Sequence, residues 1–350
     1  LSGIFKDGHS FIEDAYKKGV RHFLVSQEGT TSHLEKTFEI IVPNTLEALE
    51  QLAKHHRQRF SYPIVAITGS NGKTTVKEWL SELLSSTYNV AKSPKSYNSR
   101  LGIALSLLEL SEQTEIGIIE AGVDEMVLKK NLIQPTHGIL TSFGSAHREL
   151  FASQVSHFNE KIALFEDLES FSYILTEEQN VEFSSFLKKG KRINSSEYST
   201  LLEGFPSKDQ IGIQNASMAI SMALELGVSK ENISNKITNL SPLALRMESY
   251  DGVNGNIILN DTYNLDLDSL KHSLEYQQLN YAHMKRVVVI GLDNNDAERI
   301  KEIEKVTSDF SPIELLIKTP ESDVKSDFEN TCVLVKGTRK AKMEVYASSL

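Results

Sequence analysis

Ile64-Val-Ala-Ile-Thr68 running into Gly69-Ser-Asn-Gly-Lys-Thr-Thr75 is the stretch that decides how this chain folds. A short apolar, β-branched run closed by glycine reads as a buried strand. After the turn, Val76, Trp79, Leu80, Leu83 and Leu84 recur at helical spacing. Strand, glycine turn, Lys-Thr and helix together make a phosphate-binding loop. Gly69 and Gly72, with Ser70 and Asn71 between them, let backbone N–H groups converge on an anion, and the helix N-terminus adds partial positive charge. Lys73 is placed to reach the β- and γ-phosphates and the Thr74 hydroxyl to ligate Mg²⁺, with Thr75 completing the run. The general pattern G-x-x-x-x-G-K-[ST] would put its first glycine at Ile67, so this is a short form of the loop. An ordinary strand–turn–helix connection is the competing reading. The Asn-Gly-Lys-Thr-Thr run and the clean flanks favour a site for ATP or GTP.

Outward from the loop, strands and helices alternate. Ahead of it, residues 1–62 hold strand candidates at His22–Val25 and Glu39–Val42 and helix candidates at Ser10–Lys18 and Thr45–Gln58, ending in a linker before Pro63. Residues 63–240 contain further strands at Ile116–Glu120, His137–Phe143 and Ser172–Thr176, then a helix over Asn215–Leu226 stopped by Gly227. Residues 241–350 form a third unit, with strands near Asn256–Leu259, Arg286–Ile290, Ile313–Ile317 and Cys332–Val335. This alternation predicts an α/β protein built on mostly parallel sheets.

The 350 residues are enough for two or three domains, and 40% hydrophobic with 24% charged residues is a soluble, globular balance. A formal charge of −10 argues against nucleic acid or an anionic membrane as partner. The single cysteine, Cys332, can form no internal disulfide and reads as a core residue in a reducing compartment, so the expected location is cytoplasmic. No apolar run approaches the roughly 18 residues of a membrane span, so no membrane insertion is expected. The opening Leu1-Ser-Gly-Ile-Phe5 reads as the middle of something, and a truncated N-terminal module is the expectation.

Ligands of open parallel sheets collect beyond the C-terminal ends of the strands. Glu120 closes one strand, His147 lies just past another, and Lys161 lies in Asn159-Glu-Lys-Ile162, at the start of a predicted helix. Each alone is ordinary: a strand-end carboxylate is commonly solvated, a lone histidine a satisfied core or surface group, a helix-start lysine exposed. Together around a phosphate loop they are candidates for metal and phosphate chemistry.

Thr68-Gly-Ser-Asn-Gly-Lys-Thr-Thr75 resembles the phosphate loop of the Mur ligases, ATP-dependent amide-forming enzymes of peptidoglycan synthesis, and the resemblance extends over nearly the whole chain. Ser96-Tyr-Asn98 followed by Gly102, Glu120, Gly144-Ser-Ala-His147, Lys161, Gln214-Asn215, Arg246-Met-Glu248, Asn260-Asp-Thr-Tyr-Asn264 and Lys336-Gly-Thr-Arg339 match family motifs in order. The resemblance implies a three-domain architecture: a small N-terminal α/β domain for the UDP end of the substrate, a central P-loop parallel sheet that binds ATP, and a C-terminal Rossmann-like α/β domain. It further implies Mg²⁺ held by Thr74, Glu120, His147 and a carbamylated Lys161, with Lys73, Lys161 and His147 serving catalysis. Asn215, Arg246, Asp261, Tyr263 and Asn264 are implied to approach the nucleotide, and Asn98, Lys336 and Arg339 the substrate.

Lys336-Gly-Thr-Arg339 and Asp7-Gly-His9 resemble the MurF-type branch, for which UDP-MurNAc-tripeptide and D-Ala-D-Ala are the implied substrates. The wording around Tyr97-Asn98 and Phe165 is similar to a form fused to an alanine racemase, which makes such a fusion an expectation for the native chain; this chain itself lacks the length for one. A sister ligase, a folylpolyglutamate synthase-like ligase and a non-catalytic nucleotide binder stay open as alternatives. The chain is shorter than the family pattern near residue 123 and across 195–211 and 291–319, through true deletions or through loop segments absent from this chain.

Overall fold

The computed structural model describes residues 7–123, 125–144, 151–207, 209–240, 243–322, 324 and 326–350. In chain order the first elements are α1 (Ile12–Lys17), β1 (His22–Val25), β2 (Phe38–Ile41), α2 (Thr45–Arg57), β3 (Ile64–Thr68) and α3 (Lys73–Leu84). Next come β4 (Val90–Lys92), α4 (Arg100–Leu108), β5 (Ile116–Glu120), α5 (Met126–Ile133), β6 (His137–Leu140) and α6 (Gln154–Ile162). β7 (Phe171–Tyr173), α7 (Glu177–Glu182), β8 (Gly190–Arg192), α8 (Gln210–Glu225) and α9 (Lys230–Ile237) follow. The last stretch holds β9 (Glu248–Asp251), β10 (Ile257–Asp261), α10 (Leu267–Tyr281), β11 (Lys285–Gly291), α11 (Ala297–Ser308), β12 (Glu314–Lys318), β13 (Thr331–Gly337) and α12 (Met343–Ala347). Two compact units result: Leu1–Thr68 with Tyr88–Ile139 and Glu160–Phe171, and Gly69–Thr87 with Leu140–Asn159 and Ser172–Leu350.

In the first unit β1 and β2 pair in parallel, with His22 opposite Phe38 and Val25 opposite Ile41. Phe23 and Val25 turn inward onto Ile12, because alternate strand residues face opposite sides. α2 starts where the Asn44 side chain accepts from the N–H groups of Leu46 and Glu47, which would otherwise have no partner within the helix. β4, β5, β3 and β6 lie side by side in that order. Val90 stands opposite Ile116 and Ile64 opposite Gly117, in parallel register. Every residue of β3 and β5 is buried, the pattern of strands covered on both faces. β4 is an edge strand of three half-exposed or exposed residues, and its sequence carries no apolar alternation to announce it.

Arg57, the last residue of α2, is only 5% exposed. Its guanidinium donates to the carbonyls of Ile133 (3.1 Å), Gln134 (3.1 Å) and Phe60 (2.7 Å). It therefore closes the end of α5, where Gln134 turns left-handed at φ +48°.

In the second unit α3 packs along α8, and Trp79 meets Phe205 edge-on at 5.3 Å. The C-terminal sheet has strand order β12-β11-β13-β10-β9. Its inner pairs are parallel and β9 runs antiparallel at the edge. Neighbouring residues of one strand serve opposite cores. Leu259, Val288, Ile290, Cys332 and Leu334 pack with Leu270, Leu274 and Ile303 on one face. Ile258, Val287, Val289, Val333 and Val335 pack with Met343 and Ala347 on the other. Cys332 is fully buried as expected, and burial pushes its thiol up to about 12, so no thiolate forms at neutral pH.

Three sequence expectations are corrected by this layout. The strand expected over His137–Phe143 ends at Leu140, which leaves Thr141–Gly144 as a loop. The helix expected from Asn215 starts at Gln210, because the Asp209 side chain caps it by accepting from Gly212 N–H. Lys161 lies in the last turn of α6, not at its start, because the Ser153 hydroxyl accepts from Ser156 N–H and starts the helix earlier.

Arg57→Ala removes one cation from three carbonyls at once. It should lower unfolding stability by about 2–4 kcal/mol, since buried acceptors lose a charged donor. Urea unfolding of the whole chain measures this; Arg57→Lys, able to reach fewer of the three, should fall between the two.

Candidate active site

The turn after β3 depends on two glycines. Gly69 sits at φ +142°, and a Cβ there would come within 2.1 Å of Thr141 Oγ1; Gly72 sits at φ +85°, and its Cβ would lie 2.6 Å from Asn215 Oδ1. No L side chain fits either place without displacing a neighbour. Gly72 is also the N-cap of α3 and supplies no side-chain acceptor, so no side chain caps the start of that helix.

Residues after β6 fasten the loop from outside. Ser70 N–H donates to Ser142 O (3.0 Å) and Asn71 N–H to Ser142 Oγ (2.9 Å). Thr141 Oγ1 donates to Asn71 O (2.5 Å), and Gly144 N–H to Ser70 Oγ (2.9 Å). The Lys73 ammonium lies over the loop, donating to the carbonyls of Gly69 (2.7 Å) and Ser70 (2.9 Å). Thr74 and Thr75 occupy the first turn of α3. Asn215, 7% exposed on α8, borders the loop at Gly72.

Residues of the C-terminal segment complete this side. Arg246 Nη2 donates to Thr74 Oγ1 at 3.1 Å. It is delivered by two non-glycine residues in left-handed backbone, Leu245 (φ +63°) and Met247 (φ +53°), a conformation that costs roughly 1–2 kcal/mol per residue. Glu248 anchors this turn by accepting from Leu245 N–H (3.3 Å) and Asn260 Nδ2 (3.4 Å). The Arg246 guanidinium stacks 3.8 Å from the Tyr263 ring centre, and Arg339 approaches the same ring at 5.2 Å. Two cations thus share one aromatic face system. Asn264 donates to Asp266 Oδ2 (3.0 Å).

Lys336 and Asp261 pair with each other in the interior. Lys336, expected at the substrate, is fully buried; its ammonium is paired with the Asp261 carboxylate and donates to Ser269 Oγ at 2.8 Å. Asp261, expected at the ribose, also accepts from Ser273 Oγ at 2.6 Å.

In the other unit Glu120 ends β5 and is 1% exposed. Its Oε1 accepts from Asn98 Nδ2 at 2.9 Å, and its N–H donates to Ser93 Oγ at 3.1 Å. Asn98 O receives Gly122 N–H at 2.9 Å, so Asn98 braces the chain on both sides of the carboxylate. Lys161 is fully buried. His147 lies outside the described residues. Among the described residues no three His, Cys, Asp or Glu side chains gather as a metal site.

A cleft of about 750 Å³ opens beside the loop, bordered by Ser70, Asn71, Gly72, Asn215 and Gln214 and by one face of α10. Asp268, Lys271, His272, Glu275, Tyr276 and Leu279 form that face, spaced as a single helical stripe. Burial pushes the Tyr276 phenol up to about 12, which keeps it neutral. Sequence reasoning missed this stripe, the Thr141-Ser142 hydroxyls and Asp266. The stripe was available as i, i+3, i+4, i+7 spacing, but polar residues at that spacing read equally well as a solvated face.

Residues 67–234 match the Mur ligase middle domain family. A UDP-N-acetylmuramoyl-tripeptide–D-alanyl-D-alanine ligase of Synechocystis sp. is 30% identical over 312 residues, which cover 83% of this chain and 68% of that protein. Among solved structures, MurF from Acinetobacter baumannii superposes with a TM-score of 0.84 at 20% identity, covering 100% of this chain and 89% of its own. MurF ligase from Thermotoga maritima, solved in complex with ADP, gives 0.77 at 20% identity, with 100% and 92% covered. At that identity the two structures speak for the shared α/β fold. The chain belongs to the Mur ligase family, in its UDP-N-acetylmuramoyl-tripeptide–D-alanyl-D-alanine ligase branch.

Proposed function

We propose that the chain joins D-Ala-D-Ala to UDP-MurNAc-tripeptide at the expense of ATP, through an acyl-phosphate intermediate. The observation that carries the reading is the meeting of Arg246 with Thr74 at the start of α3, beside the glycine-built turn on which the Lys73 ammonium lies. Its relatives' names and the ADP held by the Thermotoga maritima ligase support the same substrates and nucleotide. ATP and a UDP-linked precursor place the reaction in the cytoplasm.

Phosphoryl transfer asks for positioning and charge neutralisation more than for covalent help. The tripeptide carboxylate attacks the γ-phosphorus, ADP leaves, and the acyl phosphate then receives the dipeptide amine and expels phosphate. In the first step Lys73 moves from its carbonyls onto the phosphate oxygens, while Arg246 and Arg339 offset the charge developing there. Glu120 and the Thr74 hydroxyl are hard oxygen donors of the kind Mg²⁺ takes, and the Asn98 amide orients the carboxylate from behind. With His147 and a carbamylated Lys161 they are the ligands the family resemblance implies for Mg²⁺, which would supply further neutralisation of the triphosphate. Segments 1–62, 63–240 and 241–350 then serve as the UDP-substrate-binding, central ATP-binding and C-terminal ligase domains. Lys336 supports the site from the interior by neutralising Asp261.

The test is phosphate release with UDP-MurNAc-tripeptide and ATP, comparing D-Ala-D-Ala with free amino acids as acceptor. Dependence on the dipeptide is expected; equal turnover with a single amino acid overturns the assignment. Lys73→Ala should leave the melting temperature unchanged and cut kcat by about 10²–10³. A folded variant releasing phosphate at the parent rate would sink the role of Lys73. Gly72→Ala forces a Cβ against the Asn215 amide at φ +85°. It should destabilise the chain by about 1–2 kcal/mol and abolish ADP binding in calorimetric titration.

A further inference from the structure

We propose that Asp266 is a positioning residue, whose carboxylate ties the tip of the phosphate loop to the C-terminal sheet and holds the loop in its anion-binding shape. The inference rests on the nucleotide-ligase reading above. Asp266 Oδ1 accepts from Asn71 Nδ2 at 3.2 Å and from Ser269 N–H at 2.9 Å, so the cap of α10 and the tie to the loop share one oxygen. Oδ2 accepts from Asn264 Nδ2 at 3.0 Å, and the same amide nitrogen lies 3.5 Å from Asn71 Oδ1. Behind Asp266, Ser269 Oγ accepts from Lys336, Lys336 pairs with Asp261, and Asp261 accepts from Ser273. Polar contacts therefore run without a break from the loop tip to β10 and β13.

The need for such a tie follows from the loop itself. Two glycines give it the backbone freedom to converge its N–H groups, and that freedom must be removed before an anion arrives if binding is to be tight. The main chain of Asn71 is already held by Thr141 and Ser142. Its side-chain amide is the remaining handle, and a carboxylate is a stronger acceptor for it than a neutral oxygen. Asp266 sits at the N-cap of a 15-residue helix, so the tie is set by a rigid element.

The experiment titrates ADP with Mg²⁺ into the whole chain by calorimetry, alongside kcat and KM for ATP and the melting temperature. Asp266→Ser keeps a good cap for α10 but is too short for Asn71; Asp266→Asn keeps both the length and an acceptor. Asp266→Ser should weaken ADP about tenfold, as expected for losing one charge-assisted bond, and raise KM more than it lowers kcat, at unchanged melting temperature. Asp266→Asn should stay within about threefold of the parent. Asn71→Ala should match Asp266→Ser, and the double variant should be no worse than either, because both remove the same contact. ADP affinity of Asp266→Ser within twofold of the parent overturns the proposal, whether or not its melting temperature falls, and so does a double variant whose losses multiply. An unaltered chain that binds no ADP defeats the ligase reading itself, and this inference with it.

Discussion

Backbone N–H dipoles do not point at one spot of their own accord. They repel each other, and the glycines that permit the geometry also permit every other geometry. The turn from Gly69 to Gly72 keeps its shape because its remaining polar groups are spoken for from outside. Ser142 takes two N–H groups, Thr141 donates to the Asn71 carbonyl, and Ser70 exchanges hydrogen bonds with Gly144. Beside this braced turn stand the start of α3, which no side chain caps, and the Lys73 ammonium on the carbonyls of Gly69 and Ser70. The partial positive charge of that helix start and the ammonium lie on the same side of the turn.

Arg246 shows the same economy from the opposite direction. A long cation near Thr74 could have been supplied by any flexible lysine, with rotamer entropy lost on each binding event. Here the backbone on both sides is held left-handed at Leu245 and Met247, Glu248 secures the turn, and the Tyr263 ring supports the guanidinium plane. Strain stored at such positions persists only where the surroundings over-determine it. The spacing of Arg246 and Glu248 then has a reason: one side chain reaches Thr74 while the other, two residues on, pins the turn that aims it.

The fold was legible wherever burial was complete. β3, β5, β11 and β13 are continuous apolar runs because both faces are covered, and the runs identify themselves. β4, β8 and β9 were not legible: they are three- or four-residue strands of half-exposed and exposed side chains, and the hydrogen bonds that define them leave no trace in hydropathy. The phosphate loop was legible because glycine, lysine and threonine at that spacing have few other uses. The start of α8 was misplaced because Asp209, the residue that caps it, lies in a polar stretch that resembled loop.

Site residues divide along a physical line that a motif does not display. A charged side chain near a ligand position either keeps an open face toward it or is buried, and a buried charge must be paired within the protein. Lys73 and Arg246 are only part-buried, and the contacts described above are to carbonyls, a hydroxyl and a ring, partners that an anion can replace. Lys336 and Asp261 neutralise each other inside the sheet, and separating them would leave two unpaired charges in the core. Their motifs read alike in sequence because the same site depends on both kinds. The pair inside the sheet sets where Ser269 and α10 begin, α10 sets Asp266, and Asp266 meets Asn71. A substitution in the interior pair should therefore disturb the nucleotide through the loop, in the manner of a displaced support and not of a lost ligand contact.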